Sequence, residues 1–150
     1  MELGLQGKRA AVGGSSRGLG FAIARALAGA GCRVAIAGRS SSRIEAAASA
    51  LRAESGAEIL ASAGDFAQPG GATAWLDDVA ARWGGLDFVV PNSGGPSAGR
   101  FCDSGPEDWD AAYRLTLRSA LEAASAARPH LGRGGTLLFM TGPVVRQPHP

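Results

Sequence analysis

Short apolar runs alternate along the chain with longer stretches whose apolar residues recur every three or four positions. The run Arg9–Val12 reads as a first strand. From Gly18 to about Ala28 the chain reads as a helix, with Phe21, Ala24 and Ala28 on one face. Gly29 and Gly31 close it, as glycine does after a helix. Arg33 to Ala37 is a second strand. The pattern Ser42-Arg43-Ile44-Glu45 has the form of a capping box and predicts a helix to about Glu54, stopped by Gly56. Glu58 to Ala63 is a third strand. Pro69-Gly70-Gly71 begins a helix that places Trp75, Val79 and Trp83 on one stripe, and Gly84-Gly85 end it. Leu86 to Val90 is a fourth strand, apolar enough at Phe88-Val89-Val90 for burial on both faces.

A second capping pattern, Ser104-Gly105-Pro106-Glu107, predicts a long helix that reaches about Arg128. Trp109, Ala112, Tyr113, Thr116, Ala120, Ala123 and Ala127 share one face, expected to pack into the core against the sheet. Thr136 to Met140 is a fifth strand, and Thr141 to Pro150 reads as irregular. Strands separated by helices imply parallel pairing through right-handed crossovers. The expected fold is a doubly wound, Rossmann-like α/β sheet of about five strands with helices on both faces. Its ligand crevice belongs at the carboxyl ends of the strands, around the first and fourth.

Composition narrows the picture without changing it. One hundred and fifty residues suit a single domain, and 45% hydrophobic with 19% charged residues is ordinary for a globular protein. A formal charge of +2, with basic residues scattered, argues against a nucleic-acid partner. No apolar run approaches the roughly 20 residues that span a bilayer. Cys32 and Cys102 lack metal-ligand spacing and read as free thiols, which suits a cytoplasmic location. No metal site is expected. His130 and His149 read as surface residues.

The chemistry concentrates in Val12-Gly13-Gly14-Ser15-Ser16-Arg17-Gly18-Leu19-Gly20, which joins the first strand to the first helix. Glycines there permit a sharp turn and close approach of backbone to a pyrophosphate. The helix N-terminus adds free N–H groups and partial positive charge. An NAD site places an acid about 20 positions beyond the glycines to hold the ribose 2′-hydroxyl. This chain has Gly38-Arg39 there and no carboxylate before Glu45. Arg39 and Arg17 suit a 2′-phosphate, which favours NADP(H) over NAD(H). Asp65 can accept from an adenine amino group, and Phe66 can flank the ring. Asn92-Ser93-Gly94 follow the fourth strand, where small residues allow backbone contact and the Asn92 amide can tie neighbouring strands. The Arg17–Arg39 combination argues against a flavodoxin-like or methyl-transfer domain. The loop is not a P-loop, because no Lys-Ser/Thr follows the last glycine.

In these motifs the chain resembles the short-chain dehydrogenase/reductase family. Gly14, Gly18 and Gly20 fall on the glycines of its Thr-Gly-x-x-x-Gly-x-Gly fingerprint, and Pro91-Asn92-Ser93-Gly94 stands for its Asn-Asn-Ala-Gly element. The resemblance implies that Gly14 to Gly20, Arg39, Asp65, Phe66 and Asn92 to Gly94 bind cofactor. It also implies an oxidoreductase moving hydride between a nicotinamide and a small carbonyl or alcohol. Three departures are visible. Gly13 replaces the usual threonine, Thr116 stands at the catalytic Asn position, and Gly142 stands at the substrate-orienting Ser position. The family's Tyr-x-x-x-Lys pair lies beyond residue 150, and the chain has one tyrosine, Tyr113, and one lysine, Lys8. The expectation is therefore a single cofactor-binding domain over residues 1–150, truncated or divergent and inactive alone, with no catalytic residue of its own. A non-catalytic nucleotide-binding or assembly module is the alternative. Self-association is expected through the long helix from Ser104 or an exposed apolar edge at Thr136 to Met140.

Overall fold

The computed structural model describes residues 3–142. His149 and most of the irregular segment to Pro150 lie outside the described residues. The elements run β1 (Arg9–Val12), α1 (Gly18–Gly29), β2 (Arg33–Gly38), α2 (Ser41–Ser55), β3 (Ile59–Ala63), α3 (Gly71–Trp83) and β4 (Leu86–Val90). After a 3-10 turn at Phe101–Asp103 come α4 (Pro106–Tyr113), a π-helical turn (Arg114–Arg118), α5 (Ser119–Ala127) and β5 (Leu131–Leu137). The five strands form one sheet in the order β3-β2-β1-β4-β5, every pairing parallel. The order reverses direction between β1 and β4, which opens a crevice at their carboxyl ends.

Alternate residues of the strands feed two cores, as the period of a pleated strand requires. Ala10, Val12, Val34 and Ile36 face α1 and α2 and pack with Ala24, Ala28, Ile44 and Leu51. Ala11, Ala35 and Val89 face the other way, onto Trp75, Leu76, Val79 and Trp83 of α3 and Ala123 and Ala127 of α5. Val89 and Val90 are buried on opposite faces of β4, while Phe88 is half-buried.

Four local expectations are corrected. The N-cap of α2 is Ser40, not Ser42; its Oγ accepts from the Arg43 N–H at 3.4 Å, and Glu45 pairs with Arg52 instead. Gly105 caps α4, with the Asp108 carboxylate accepting from its N–H at 2.9 Å, so the acid of that cap is Asp108 rather than Glu107. The long helix is broken by the π turn, and only its second half enters the core: Ala123 and Ala127 are buried, whereas Trp109, Tyr113 and Thr116 are exposed. The fifth strand begins at Leu131, which pairs with Leu86, then bulges through Gly132 to Gly135 before Thr136 and Leu137 regain register opposite Phe88 and Val89. Leu138, Phe139 and Met140 lie past its end and are 50%, 48% and 43% exposed, so the expected apolar edge is an exposed apolar run beyond the strand.

Candidate functional site

The turn between β1 and α1 is shaped by what cannot fit there. Gly14 and Gly18 have φ of 55° and 60°, a left-handed region that side chains disfavour. A Cβ on Gly20 would lie 2.4 Å from the Gly14 carbonyl oxygen, and one on Gly13 would lie 2.4 Å from the Asn92 carbonyl oxygen. The four glycines thus let the turn, α1 and the end of β4 close onto each other. Asn92 fastens the closure by donating through Nδ2 to the carbonyls of Gly13 and Gly14 at 3.2 and 3.4 Å. This is the inter-strand tie expected of that amide.

Ser15 is wholly buried and works inside the scaffold. Its Oγ donates to the Val12 carbonyl at 2.7 Å and accepts from the Ala37 N–H at 3.1 Å, while its own N–H donates to the Ala37 carbonyl. It holds the ends of β1 and β2 together beneath the turn. The N-cap residue Arg17 makes no side-chain cap, so among the described residues the first N–H groups of that helix, from Gly18 through Gly20, remain for an outside acceptor.

Two adjoining clefts meet over this turn. The first is lined by Gly14, Ser16 and Arg17, then by Gly38 to Ser40 and Arg43 at the end of β2, by Gly64 to Phe66 after β3, and by Ser93, Gly94 and Leu115. The second shares Gly14, Arg17, Ser93 and Gly94 and continues past Leu19, Asn92 and Thr116 to Phe139 and Met140. Together they make one groove that crosses the carboxyl edge of the sheet. Twelve of the thirteen residues expected to bind cofactor line it, and Ser15 supports it from below. Phe66 reaches the groove only at its margin. Its ring is 8% exposed, stacks on Trp75 with centroids 5.2 Å apart, and lies beneath Gly13. One oxygen of Asp65 accepts from the Ala67 N–H at 3.0 Å, which fixes the loop after β3.

The charge of the first cleft is one-sided. Arg17, Arg39 and Arg43 line it, and Asp65 is its one acid among the described residues. None of the three arginines makes an ion pair among the described residues, whereas Arg9, Arg25, Arg33, Arg52, Arg82 and Arg100 each hold a carboxylate. The sequence reading does not single out Arg43. With the cap at Ser40, Arg43 falls on the first turn of α2, facing the same opening as Arg39.

The second cleft carries the departures from the family pattern. The Thr116 hydroxyl donates to the Ala112 carbonyl at 2.6 Å. Within the π turn the Leu115 carbonyl accepts from Ser93 Oγ at 2.6 Å and also from Ser119 Oγ. π turns often mark functional positions in helices; here the turn couples the loop after β4 to the long helix. Gly142 is exposed and irregular. Tyr113 lies half-exposed on α4, and Lys8 precedes β1 at the amino edge of the sheet, away from the groove. Among the described residues no cluster could hold a metal ion, and no helix is long and apolar enough to cross a membrane.

At the amino edge, Arg9 of β1 bonds Asp87 of β4 through both backbone N–H and guanidinium, at 2.8 and 2.9 Å. The Arg9 hydrogen bond holds the Asp87 carboxyl below its ordinary range, against the opposing effect of burial. Burial, with a smaller contribution from the Asp87 charge, pushes the Cys32 thiol up.

Comparison with known proteins agrees with this geometry. A family model described as Enoyl-(Acyl carrier protein) reductase matches residues 14–147. The chain is 36% identical over 138 residues to a protein of Zymoseptoria tritici named as a probable tetrahydroxynaphthalene reductase, covering 91% of this chain and 51% of that one. A short-chain dehydrogenase from Burkholderia cenocepacia, solved with NADP, superimposes with a TM-score of 0.91 at 37% identity over 97% of this chain and 60% of that one. L-Sorbose reductase from Gluconobacter frateurii, solved with NADPH and L-sorbose, gives a TM-score of 0.92 at 31% identity over 99% of this chain and 57% of that one. The chain spans about half the length of the curated relatives it matches. In its glycine turn, its strand order and its sequence it belongs to the short-chain dehydrogenase/reductase family.

Proposed function

We propose that these residues form the NADP(H)-binding part of an oxidoreductase that exchanges hydride with a small carbonyl or alcohol substrate. The observation that carries this reading is the cationic end of the groove, where Arg17 and Arg39, unpaired among the described residues, lie beside a glycine turn whose helix has no side-chain cap from Arg17. Guanidinium groups pair with phosphate through charge-assisted, fork-like hydrogen bonds, and NAD offers no phosphate at that end. Two structural relatives solved with NADP or NADPH support the same choice. Gly14 to Gly20 would hold the diphosphate, Arg17 and Arg39 the extra phosphate, Asp65 the adenine, and Asn92 to Gly94 the ribose and nicotinamide side. The bound cofactor supplies the hydride.

Hydride delivery to a carbonyl also needs a proton donor for the developing alkoxide. Tyr113 and Lys8 lie in separate parts of the fold, and the Thr116 hydroxyl proton is engaged by Ala112. These 150 residues therefore bind cofactor without turning it over, in a cytoplasm reducing enough for two unpaired thiols. Titration calorimetry with NADPH and NADH tests the reading: NADPH binds more tightly, and Arg39→Ala removes most of the difference. Steady oxidation of NADPH with simple carbonyls by these residues alone would refute the inactivity. Thr116 and Gly142 favour one second reading, a non-catalytic nucleotide-binding or assembly module. Equal, negligible binding of both cofactors would put it ahead.

A further inference from the structure

We infer that Arg43 is a third cofactor-discriminating residue, whose guanidinium recognises the ribose 2′-phosphate alongside Arg17 and Arg39. The inference rests on the NADP(H) reading and deepens it. Arg43 occupies the third position of α2, after the cap Ser40, and lines the first cleft with Arg39 and Ser40. An arginine is out of place there on local grounds. The N-terminal end of a helix carries partial positive charge, which favours acids and opposes cations. The third position is also where Glu or Gln completes a capping box with a serine cap. Ser40 is in place and its Oγ accepts the Arg43 N–H at 3.4 Å, yet the box acid is absent and the first turn of α2 contains no acidic residue at all.

Among the described residues no carboxylate offsets this placement. Arg43 is exposed and makes no ion pair among the described residues. Arg52, on the same helix, shows the ordinary solution: it sits in the last turn, where cations are favoured, and bonds Glu45 at 2.9 Å and the Ile59 carbonyl at 2.8 Å. A local rule broken without compensation in the fold points to a ligand that supplies it. What distinguishes Arg43 from other exposed arginines is that it lines the same cleft as Arg17 and Arg39, at the carboxyl end of β2, where an anionic ligand would meet all three. A phosphate on the adenosine ribose has that charge and that location; the hydroxyl of NAD does not.

Two substitutions separate this role from a structural one. Arg43→Ala and Arg43→Glu both relieve the helix end, so both raise the melting temperature of the cofactor-free protein, Glu more than Ala. Both weaken NADPH by about tenfold or more, Glu again more than Ala, and leave NADH within about twofold. Adenosine 2′,5′-bisphosphate, titrated as a fragment probe, follows NADPH, while 5′-AMP follows NADH. Unchanged NADPH affinity in both variants overturns the inference, and so does an equal loss for NADPH and NADH. If the unaltered protein binds neither NADPH nor the bisphosphate, the cofactor reading itself fails, which distinguishes the two failures.

Discussion

The two flanks of the sheet differ in how completely the chain covers its own apolar surface. On the side of β1, β2, α1 and α2, the strands are buried along nearly their whole length, and Ile36, Ile44 and Leu51 are sealed between sheet and helices. On the side of β5, α4 and the π turn, Trp109, Leu117, Leu121 and Leu138 are each about half exposed, and the middle of β5 is exposed throughout. The cationic end of the groove belongs to the first flank, and the positions that depart from the family's catalytic pattern belong to the second. On the reading proposed above, holding a dinucleotide and transforming a substrate would draw on different flanks. The cationic groove rests on backbone, glycine and arginine of the well-covered flank, whereas Thr116 and Gly142 lie on the less covered one.

The widest gap between the flanks should appear in core truncation. Leu51→Ala removes a fully buried side chain and costs about 3 kcal/mol, whereas Leu121→Ala, 53% exposed in the wild type, costs about 0.5 kcal/mol or less. Urea denaturation of the two variants checks this, and equal losses would dissolve the contrast. Next comes the glycine turn. Gly20→Ala forces a Cβ onto the Gly14 carbonyl and costs about 2 kcal/mol. Gly99→Ala, whose Cβ would meet only the Ser104 hydroxyl at 3.7 Å, changes stability by less than about 0.5 kcal/mol. Gly20→Ala also impairs NADPH binding, because α1 can no longer bring its N–H groups to the turn.

The same contrast governs what the sequence makes legible. Buried strands and amphipathic helices on the first flank announce themselves by period, and the left-handed glycines mark where the chain must turn. β5 starts five residues before the expected Thr136 because its first pairing, Leu131 with Leu86, is followed by a bulge of Gly132, Arg133, Gly134 and Gly135 with no side-chain pattern to read. The π turn is equally silent, since Leu115-Thr116-Leu117 fits a regular helix; hydroxyls of Ser93 and Ser119 converging on one carbonyl are a tertiary fact. Phe66 shows a third limit. An aromatic residue after a strand fits an adenine clamp as well as a core stack, and the sequence does not reveal that this ring stacks on Trp75 while still lining the groove.

A smaller effect links the flanks at the amino edge of the sheet. Arg9 on β1 and Asp87 on β4 are each about a quarter exposed, so Asp87→Asn costs about 1 kcal/mol after allowance for solvent screening. Because Arg9 lowers the Asp87 pKa in the folded state, the unfolded chain takes up the proton first as pH falls. The contribution is complete above about pH 4, the ordinary Asp value, and is lost as pH drops through the folded value. A melting-temperature profile from pH 7 to pH 2 should fall more steeply for the wild type than for Asp87→Asn. Parallel curves would show that the pair does not join the halves.

The smallest effect on folding should have the largest effect on association. Leu121→Lys and Leu138→Lys change residues already half exposed, so each alters stability by less than about 0.5 kcal/mol. We propose that the wild-type chain self-associates through this flank, because apolar side chains exposed there on α4, α5 and beyond β5 would gain by being covered. Phe139 and Met140 continue the run beyond β5, whose outer edge has no partner strand among the described residues. Light scattering across a dilution series should show the wild type growing with concentration and the double lysine variant remaining monomeric. The first flank gives the control: Arg25→Lys, at a polar position on α1 facing Glu54, should leave association unchanged. A wild-type monomer at every concentration would mean that half-exposed leucines are tolerated here as ordinary surface. The two flanks would then differ in packing alone.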